Sequence, residues 1–79
     1  MKPTTVKKII NEIINDGKGI VTITIEMNNG RVFVTDFDKE PGTCSTIAWD
    51  DEDPTIMRIE TDEYGTKWID ATQVMSIEI

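Results

Sequence analysis

Residues 20–34 decide the fold, and they read IVTITIEMNNGRVFV. Over the first eight of these residues apolar side chains mostly alternate with polar ones, the period of two that is typical of a strand with one buried face. Asn29-Gly30 interrupts the alternation, and because both residue types tolerate a positive φ, the pair predicts a tight turn between two strands. The stretch therefore predicts an antiparallel hairpin.

A two-residue turn at Asn29-Gly30 also fixes which residues of the hairpin face each other. It pairs Ile25 with Val34 on the more apolar face and places Phe33 and Phe37 on the opposite one. In this register the hairpin carries apolar groups on both faces. The apolar stripe of a helix lying over the second face would account for the two phenylalanines there.

The segment before the hairpin has the only helical periodicity, over residues 5–16. Its apolar residues recur at i, i+3, i+4, i+7 and i+8 and form one stripe: Val6, Ile9, Ile10, Ile13 and Ile14. A helix of about 12 residues is marginal alone, so it is expected to persist by burying this stripe, with Val6, Ile9 and Ile13 against the sheet. Gly17 is expected to end the helix in the left-handed conformation.

Four further segments complete the predicted sheet. Residues 43–49 and 55–61 read as strands, 66–69 as a short strand, and 73–79 as a final strand, with Asp70 capping a 3₁₀ turn before it. The composition agrees, because 13 Ile, 5 Val and 11 Thr stand beside no Leu at all, and β-branched side chains favour sheets. We expect one mainly β (α+β) domain over residues 1–79, with the helix at about 5–16 and a barrel at about 19–79.

This order of elements resembles the Sm-like family of SH3-type small barrels. The similarity lies in a helix followed by the strand at 20–25, the Asn-Gly-Arg turn at 29–31, the Phe37-Asp38 step, and the closing segments at 69–77. The resemblance implies an N-terminal helix followed by a five- to six-stranded antiparallel SH3-like or Sm-like barrel.

The residues with which Sm-like proteins hold RNA are not matched. Those proteins use an Asn after the Phe-Asp step and a basic residue followed by Gly in the last loop. Here residues 39–43 contain no Asn, and Lys67 is followed by Trp68. The resemblance therefore implies the fold without the RNA site, and a divergent Sm-like RNA binder remains only an alternative.

The charge is acidic and uneven. Eight Lys and Arg stand against fifteen Asp and Glu, a net charge of −7, while residues 1–19 alone carry a small positive excess. Nucleic acids and anionic lipids attract the opposite sign, so no nucleic acid and no membrane are expected as partners. The single Cys44 suits a reducing compartment, and no apolar leader is recognisable, so a cytoplasmic location is expected.

Catalysis and metal binding have weak support. There is no His, and Cys44 has no adjacent cation to lower its pKa. The carboxylates at 36–40 and 50–53 are clustered, but they lack the spacing of a calcium-binding loop. We expect no enzyme activity, no catalytic residues, no cofactor and no metal.

Aromatic residues beside acidic turns are the remaining signal. The candidate partner-binding residues are Phe33, Phe37, Trp49, Tyr64, Trp68, Asp50, Asp51 and Asp53. An exposed aromatic strip with acidic neighbours suits a basic peptide. The sequence thus favours a small, acidic, non-catalytic protein-interaction module whose partner is another protein or a second copy. The alternative of a different class is an acidic mimic of nucleic acid that occupies a DNA- or RNA-binding protein.

Overall fold

The computed structural model describes residues 1–17, 19–38, 46–61 and 65–79. Within these ranges one helix precedes six short strands, with a 3₁₀ turn before the last strand. The elements are α1 (Pro3–Asp16), β1 (Ile20–Met27), β2 (Val32–Asp38), β3 (Thr46–Trp49), β4 (Ile56–Thr61), β5 (Gly65–Asp70), the 3₁₀ turn (Ala71–Gln73) and β6 (Val74–Glu78). The predicted mainly β class with one N-terminal helix is confirmed.

The strands form two antiparallel sheets of three strands each, which we call sheet I (order β2-β1-β6) and sheet II (order β3-β4-β5). The predicted barrel is not closed: no ladder joins the two sheets within the described ranges. Both sheets and α1 instead contribute to one core, so the apolar faces are buried without closure. The fully buried residues are Val6, Ile10, Ile23, Ile25, Met27, Phe37, Met57, Ile59, Ile69, Ala71 and Val74.

The β1–β2 hairpin has a different register from the predicted one. The Gly30 amide donates to the Met27 carbonyl, and the Met27 amide donates to the Arg31 carbonyl, which closes a three-residue loop. Gly30 alone in this loop has a positive φ, of 86°, as in a type I turn followed by a bulge. The slip of one residue pairs Ile25 with Phe33 rather than with Val34.

This slip exchanges the two faces of β2. Phe37, which the predicted register placed on the less apolar face, is opposite Val21 and is 2% exposed. Val32 and Val34 face outward instead, at 54% and 64% exposure. The exchange is physically reasonable because two phenylalanine rings remove more apolar area from water than two valines do.

Helix α1 buries a slightly different stripe from the predicted one. Val6 and Ile10 are fully buried, whereas Ile9 and Ile13 are only half-buried. The helix lies against β6 and the 3₁₀ turn, and its buried residues belong to the same core cluster as Phe37. The prediction of a left-handed Gly17 was also wrong, since its φ is −67°. A Cβ there would collide with the Val21 side chain, so close packing explains this glycine.

Three hydrogen bonds fix the 3₁₀ turn and the start of β6. Asp70 caps the 3₁₀ turn as predicted: its carboxylate accepts a hydrogen bond from the Thr72 amide at 2.9 Å. The Ala71 amide donates to the Thr55 carbonyl at 2.8 Å, which joins this turn to the chain leading into β4. At the start of the chain, the terminal ammonium of Met1 donates to the Val74 carbonyl at 2.8 Å.

Candidate partner-binding groove

A groove of about 380 Å³ lies at one end of sheet II. The end of β3, the acidic turn after it, and the neighbouring parts of β4 and β5 form its walls. The lining residues are Ala48, Trp49, Asp50, Asp51, Glu52, Ile56, Arg58 and Trp68. Its volume is within the range of small ligand pockets, enough for one or two side chains of a partner.

Trp68 gives the groove its exposed aromatic surface. Strand alternation sends its neighbour Ile69 into the core, at 3% exposure, and leaves the Trp68 side chain outside, at 67% exposure. Across the ladder Trp68 is directly opposite Arg58. A large aromatic side chain left two-thirds exposed in a domain this small is a strong candidate for partner contact.

Trp49 has a different environment. It pairs with Met57, which is fully buried, and its half-buried ring packs against the core cluster. The Lys7 ammonium lies 6.0 Å from the centre of the Trp49 ring, at the limit of a cation–π interaction. Trp49 therefore contributes a wall that the core and α1 hold in place, while Trp68 contributes the free surface.

The acidic turn is organised by its own carboxylates. Asp50 Oδ1 accepts hydrogen bonds from the Glu52 amide at 2.8 Å and from the Asp53 amide at 3.3 Å. Asp53 Oδ1 accepts from the hydroxyl and the amide of Thr55. These hydrogen bonds, the hydroxyl's first, hold the pKa of Asp53 below its ordinary value because they favour the ionised carboxylate. Asp50 and Asp53 thus shape the turn.

Asp51 and Glu52 are the carboxylates left for a partner. Both are exposed, and among the described residues no side-chain hydrogen bond or ion pair engages either carboxylate. The cation of the groove, Arg58, forms an ion pair with Glu60 on its own strand, Nε to Oε1 3.1 Å. The groove consequently keeps an excess of negative charge beside the indole of Trp68.

The predicted candidates divide into two groups. Trp49, Trp68, Asp50 and Asp51 come together in the groove, whereas Asp53 belongs to the turn but does not line it. The two phenylalanines lie elsewhere: Phe37 is in the core, and half-buried Phe33 lies under the Lys67 ammonium at 5.3 Å. They are not part of an exposed aromatic strip, because the hairpin register turns them inward. Tyr64 and Cys44 are outside the described residues.

Four lining residues were not predicted: Ala48, Glu52, Ile56 and Arg58. Arg58 could have been found, since the alternation of residues 55–61 sets it on the outer face between the buried Met57 and Ile59. Its position opposite Trp68 depends on the β4–β5 register, which the sequence leaves open. Ala48 and Ile56 carry no sequence signal for a site.

The described ranges contain neither a cluster of side chains suited to a metal ion nor a membrane-spanning helix. No group of three or more His, Cys, Asp or Glu side chains is placed there to hold a metal ion. No helix in these ranges is both long enough and apolar enough to cross a bilayer.

Comparison with known proteins identifies no relative. No protein-family model, no curated protein and no solved structure matches this chain.

Proposed function

We propose that the protein is a non-catalytic interaction module of the cytoplasm that binds a basic segment of a partner protein in the Trp49–Trp68 groove. The observation that carries the proposal is the two-thirds exposed indole of Trp68 beside the acidic turn at Asp50–Glu52. An aromatic surface next to uncompensated carboxylates suits a side chain with an apolar stem and a cationic end, which describes Lys and Arg.

The two parts of the groove contribute differently to binding. Covering the Trp68 ring removes apolar area from water, and tryptophan is among the residues that dominate binding energy at interfaces. The carboxylates of Asp51 and Glu52 are exposed, so they contribute steering and selectivity rather than most of the affinity. The affinity is therefore expected to depend chiefly on Trp68 and to weaken moderately as salt is raised.

The fold supports this proposal at the level of architecture. One helix, short antiparallel strands, a 3₁₀ turn before the last strand, and pairing of that strand with β1 agree with an SH3-type or Sm-like order. We therefore include a likeness to SH3-type or Sm-like proteins in the proposal. This likeness supports RNA binding less well than protein binding, because the residues after Phe37-Asp38 and after Lys67 do not match the base-binding pattern of Sm-like proteins.

The acidic-mimic alternative makes a distinct demand on the surface. Such a protein needs carboxylates spread along one face at the spacing of phosphates. Here Asp50 and Asp53 bind the backbone of their own turn, and Glu60 is paired with Arg58. That arrangement leaves a short acidic edge next to an aromatic ring, which favours the interaction module.

Selection from a random peptide library displayed on phage tests the proposal. Wild-type protein should enrich peptides with Lys or Arg next to an apolar residue. Trp68→Ala should lose the selected peptides, and the double variant Asp51→Asn, Glu52→Gln should bind them more weakly. Met75→Ala, which truncates an exposed side chain on β6 outside the groove, is the matched control and should bind like wild type.

Two other outcomes of this selection would contradict the proposal. Peptides that bind Trp68→Ala as tightly as wild type would contradict the groove as the site. Binding that survives Trp68→Ala but disappears in the double acidic variant would favour the nucleic-acid mimic, whose contacts are carboxylates alone.

A further inference from the structure

The β4–β5 ladder fixes which backbone groups of β5 face away from the sheet. The Ala71 amide bonds to the carbonyl of Thr55, which is directly opposite it, one step beyond the last pair of this register. Directly opposed residues of an antiparallel ladder are alternately hydrogen-bonded and not hydrogen-bonded. Counting back from Ala71 in steps of two, the odd-numbered residues of β5 bond to β4. The amides and carbonyls of Thr66 and Trp68 therefore point outward, away from β4.

Within the described ranges no other segment takes up these outward groups. In sheet II, β5 pairs with β4 alone, and no backbone hydrogen bond of the described turns involves Thr66 or Trp68. Every residue from Gly65 to Trp68 is exposed. Such an edge can accept an extended segment of a partner as a further strand, which is a recurring mode of peptide recognition.

The side chains beside this edge belong to two rows that cross the outer face of sheet II. From β3 to β5, the members of the two rows are Ala48, Arg58 and Trp68, and then Asp50, Ile56 and Asp70. All of them except Asp70 line the groove. Because β5 supplies the last residue of each row, a strand added at its edge continues both rows. One of its side chains then lies beside the Trp68 indole, and the next on the same face lies beside the Asp70 carboxylate.

We propose that the basic segment bound by this protein adds to the edge of β5 as an antiparallel strand of sheet II, an inference that rests on the proposed function. Trp68 exchanges two backbone hydrogen bonds with the ligand residue opposite it, which we call position 0. Antiparallel pairing continues the pattern of the sheet and is slightly more stable per residue than parallel pairing. It sets ligand position −2 opposite Asp70 and position +1 opposite Lys67.

The charges of the edge select basic residues at positions −2 and 0. At position 0 a Lys or Arg lies beside the Trp68 indole, an arrangement suited to a cation–π interaction. Arg58 is one strand further in and is paired with Glu60, so the indole is the direct neighbour of this position. At position −2 the neighbour is Asp70, with apolar Ile56 and the acidic turn beyond it. A side chain with an apolar stem and a cationic end fits this row.

Lys67 restricts which strand can be added. It lies between Thr66 and Trp68 and therefore on the other face of β5, where its ammonium is 5.3 Å from the centre of the Phe33 ring. A basic residue at ligand position +1 would be directly opposite this ammonium and is disfavoured. A lysine on an edge strand also discourages pairing with unselected strands. The expected ligand therefore alternates, with basic residues at −2 and 0 and a neutral or acidic residue at +1.

The peptide acetyl-Lys-Val-Arg-Thr-Val-amide, with its Arg at position 0, tests the proposal by NMR. Binding is measured by titration, and amide hydrogen exchange is measured at about 5 mM peptide. The amides of Thr66 and Trp68 should exchange at least about fivefold more slowly than in the free protein, because the added strand accepts hydrogen bonds from them. Trp68→Ala should bind the peptide at least about tenfold more weakly.

Two matched pairs of peptides separate backbone pairing from side-chain contact. A methyl group on the position 0 nitrogen removes the donor to the Trp68 carbonyl and should weaken binding about tenfold. A methyl group on the position +1 nitrogen, which points away from β5, should change binding less than about twofold. Acetyl-Lys-Arg-Val-Thr-Val-amide has the same composition but places its two cations on opposite faces, and it should bind at least about threefold more weakly.

Several outcomes would overturn the added strand. Peptides from the phage selection that require Trp68, but leave the exchange of the Thr66 and Trp68 amides unchanged, would uphold the proposed function and contradict the added strand. Equal losses for the two methylated peptides, or no binding of the alternating peptide at about 5 mM, would also contradict it. Slowing of the two amides with rising protein concentration and no peptide would assign the edge to a second copy. A selection that yields no Trp68-dependent peptide would instead remove the proposed function, and this inference with it.

Discussion

The Lys67 ammonium lies 5.3 Å from the centre of the Phe33 ring, although Lys67 is on β5 of sheet II and Phe33 is on β2 of sheet I. Lys67 is opposite Ile59 in its own ladder, so it stands on the face of sheet II that forms the core. Phe33 is opposite Ile25 in the other ladder. The contact therefore joins the two sheets at the rim of the shared core, where no backbone ladder connects them within the described residues.

Truncating this lysine should loosen the rim. Lys67→Ala removes both the cation and its apolar stem, and we expect it to lower the free energy of unfolding by about 0.5–1 kcal/mol, measured by urea denaturation. Lys67→Met is the matched control because it keeps most of the stem and removes the charge. If Lys67→Met is as stable as wild type, packing by the stem rather than the cation–π interaction accounts for the contact.

Substitutions at two adjacent positions of α1 test whether the helix is anchored to the core through Ile10. Ile10→Asp places a charge in the core, where Ile10 is 1% exposed, and should cost several kcal/mol, enough to unfold a domain of this size. Ile9→Asp changes a half-buried neighbour outside the core cluster and should leave the protein folded. Circular dichroism melting distinguishes them. Equal melting temperatures for the two variants would show that α1 is not anchored through Ile10.

The acidic turn should respond to pH through Asp53. The hydroxyl of Thr55, and then its amide, lower the folded-state pKa of this carboxyl. A carboxyl with a depressed folded pKa stabilises the fold fully above its unfolded pKa, near 3.9, and this contribution is lost as pH falls through the lower folded value. Thr55→Val removes the hydroxyl and should raise the pKa of Asp53, as measured by carboxyl carbon chemical shifts in an NMR titration. An unchanged pKa in Thr55→Val would mean that the hydroxyl bond is not the cause.

Much of the fold could be predicted because local patterns decide it. The alternation at residues 21–27 and 55–61 specified β1 and β4, and the helical stripe specified α1. Asp70 was recognised as the cap of the 3₁₀ turn because an aspartate side chain readily accepts from the amide two residues on. In each of these segments, neighbouring residues alone determine the structure.

The register of the β1–β2 hairpin could not be predicted from local sequence patterns. Asn29-Gly30 is compatible with a two-residue turn and with a three-residue loop that ends in a bulge, and both place Gly30 at positive φ. Residues 32–37 do not decide between them, since each face of the strand carries apolar side chains. The choice depends on how well the phenylalanines fill the space between the sheets, which is a property of the assembled core.

The groove was only partly predictable for a related reason. The sequence marked both tryptophans as candidates because each stands beside acidic residues, but the ladder register and the packing of α1 determine which one is exposed. Trp49 lies near the helix, within 6.0 Å of Lys7 and next to the core cluster. On β5 the buried position belongs to Ile69, the neighbour of Trp68, so the Trp68 side chain is exposed. The hydrophobic periodicity of one segment does not show which distant segment it pairs with.

Nucleic acid should not bind usefully at physiological salt. Residues 20–79 carry four basic and thirteen acidic side chains, so an approaching phosphate backbone is repelled. Lys7 and Lys8 are exposed on α1, but two cations release far fewer counterions than a typical binding site does. Fluorescence anisotropy with labelled oligo-U, oligo-A and duplex DNA at about 150 mM salt should show no saturation at micromolar protein. Saturable binding weakened by Lys7→Ala or Lys8→Ala would restore the RNA-binding alternative.

The conformation of the three-residue loop in the β1–β2 hairpin predicts how substitutions of Gly30 change the free energy of unfolding. A Cβ added at Gly30 meets no atom within 4 Å, so the cost of a substitution there comes from its φ of 86° alone. Gly30→Ala should therefore lower the free energy of unfolding by about 1–2 kcal/mol, and Gly30→Asn by less, because Asn enters the left-handed region more readily. Gly17 is the contrasting position: its φ is ordinary, but any side chain collides with Val21. Asn should therefore be no better tolerated than Ala at Gly17, whereas the two residues should differ at Gly30. Thermal melts of the four variants measure both comparisons, and equal losses for Ala and Asn at Gly30 would contradict a purely conformational cost.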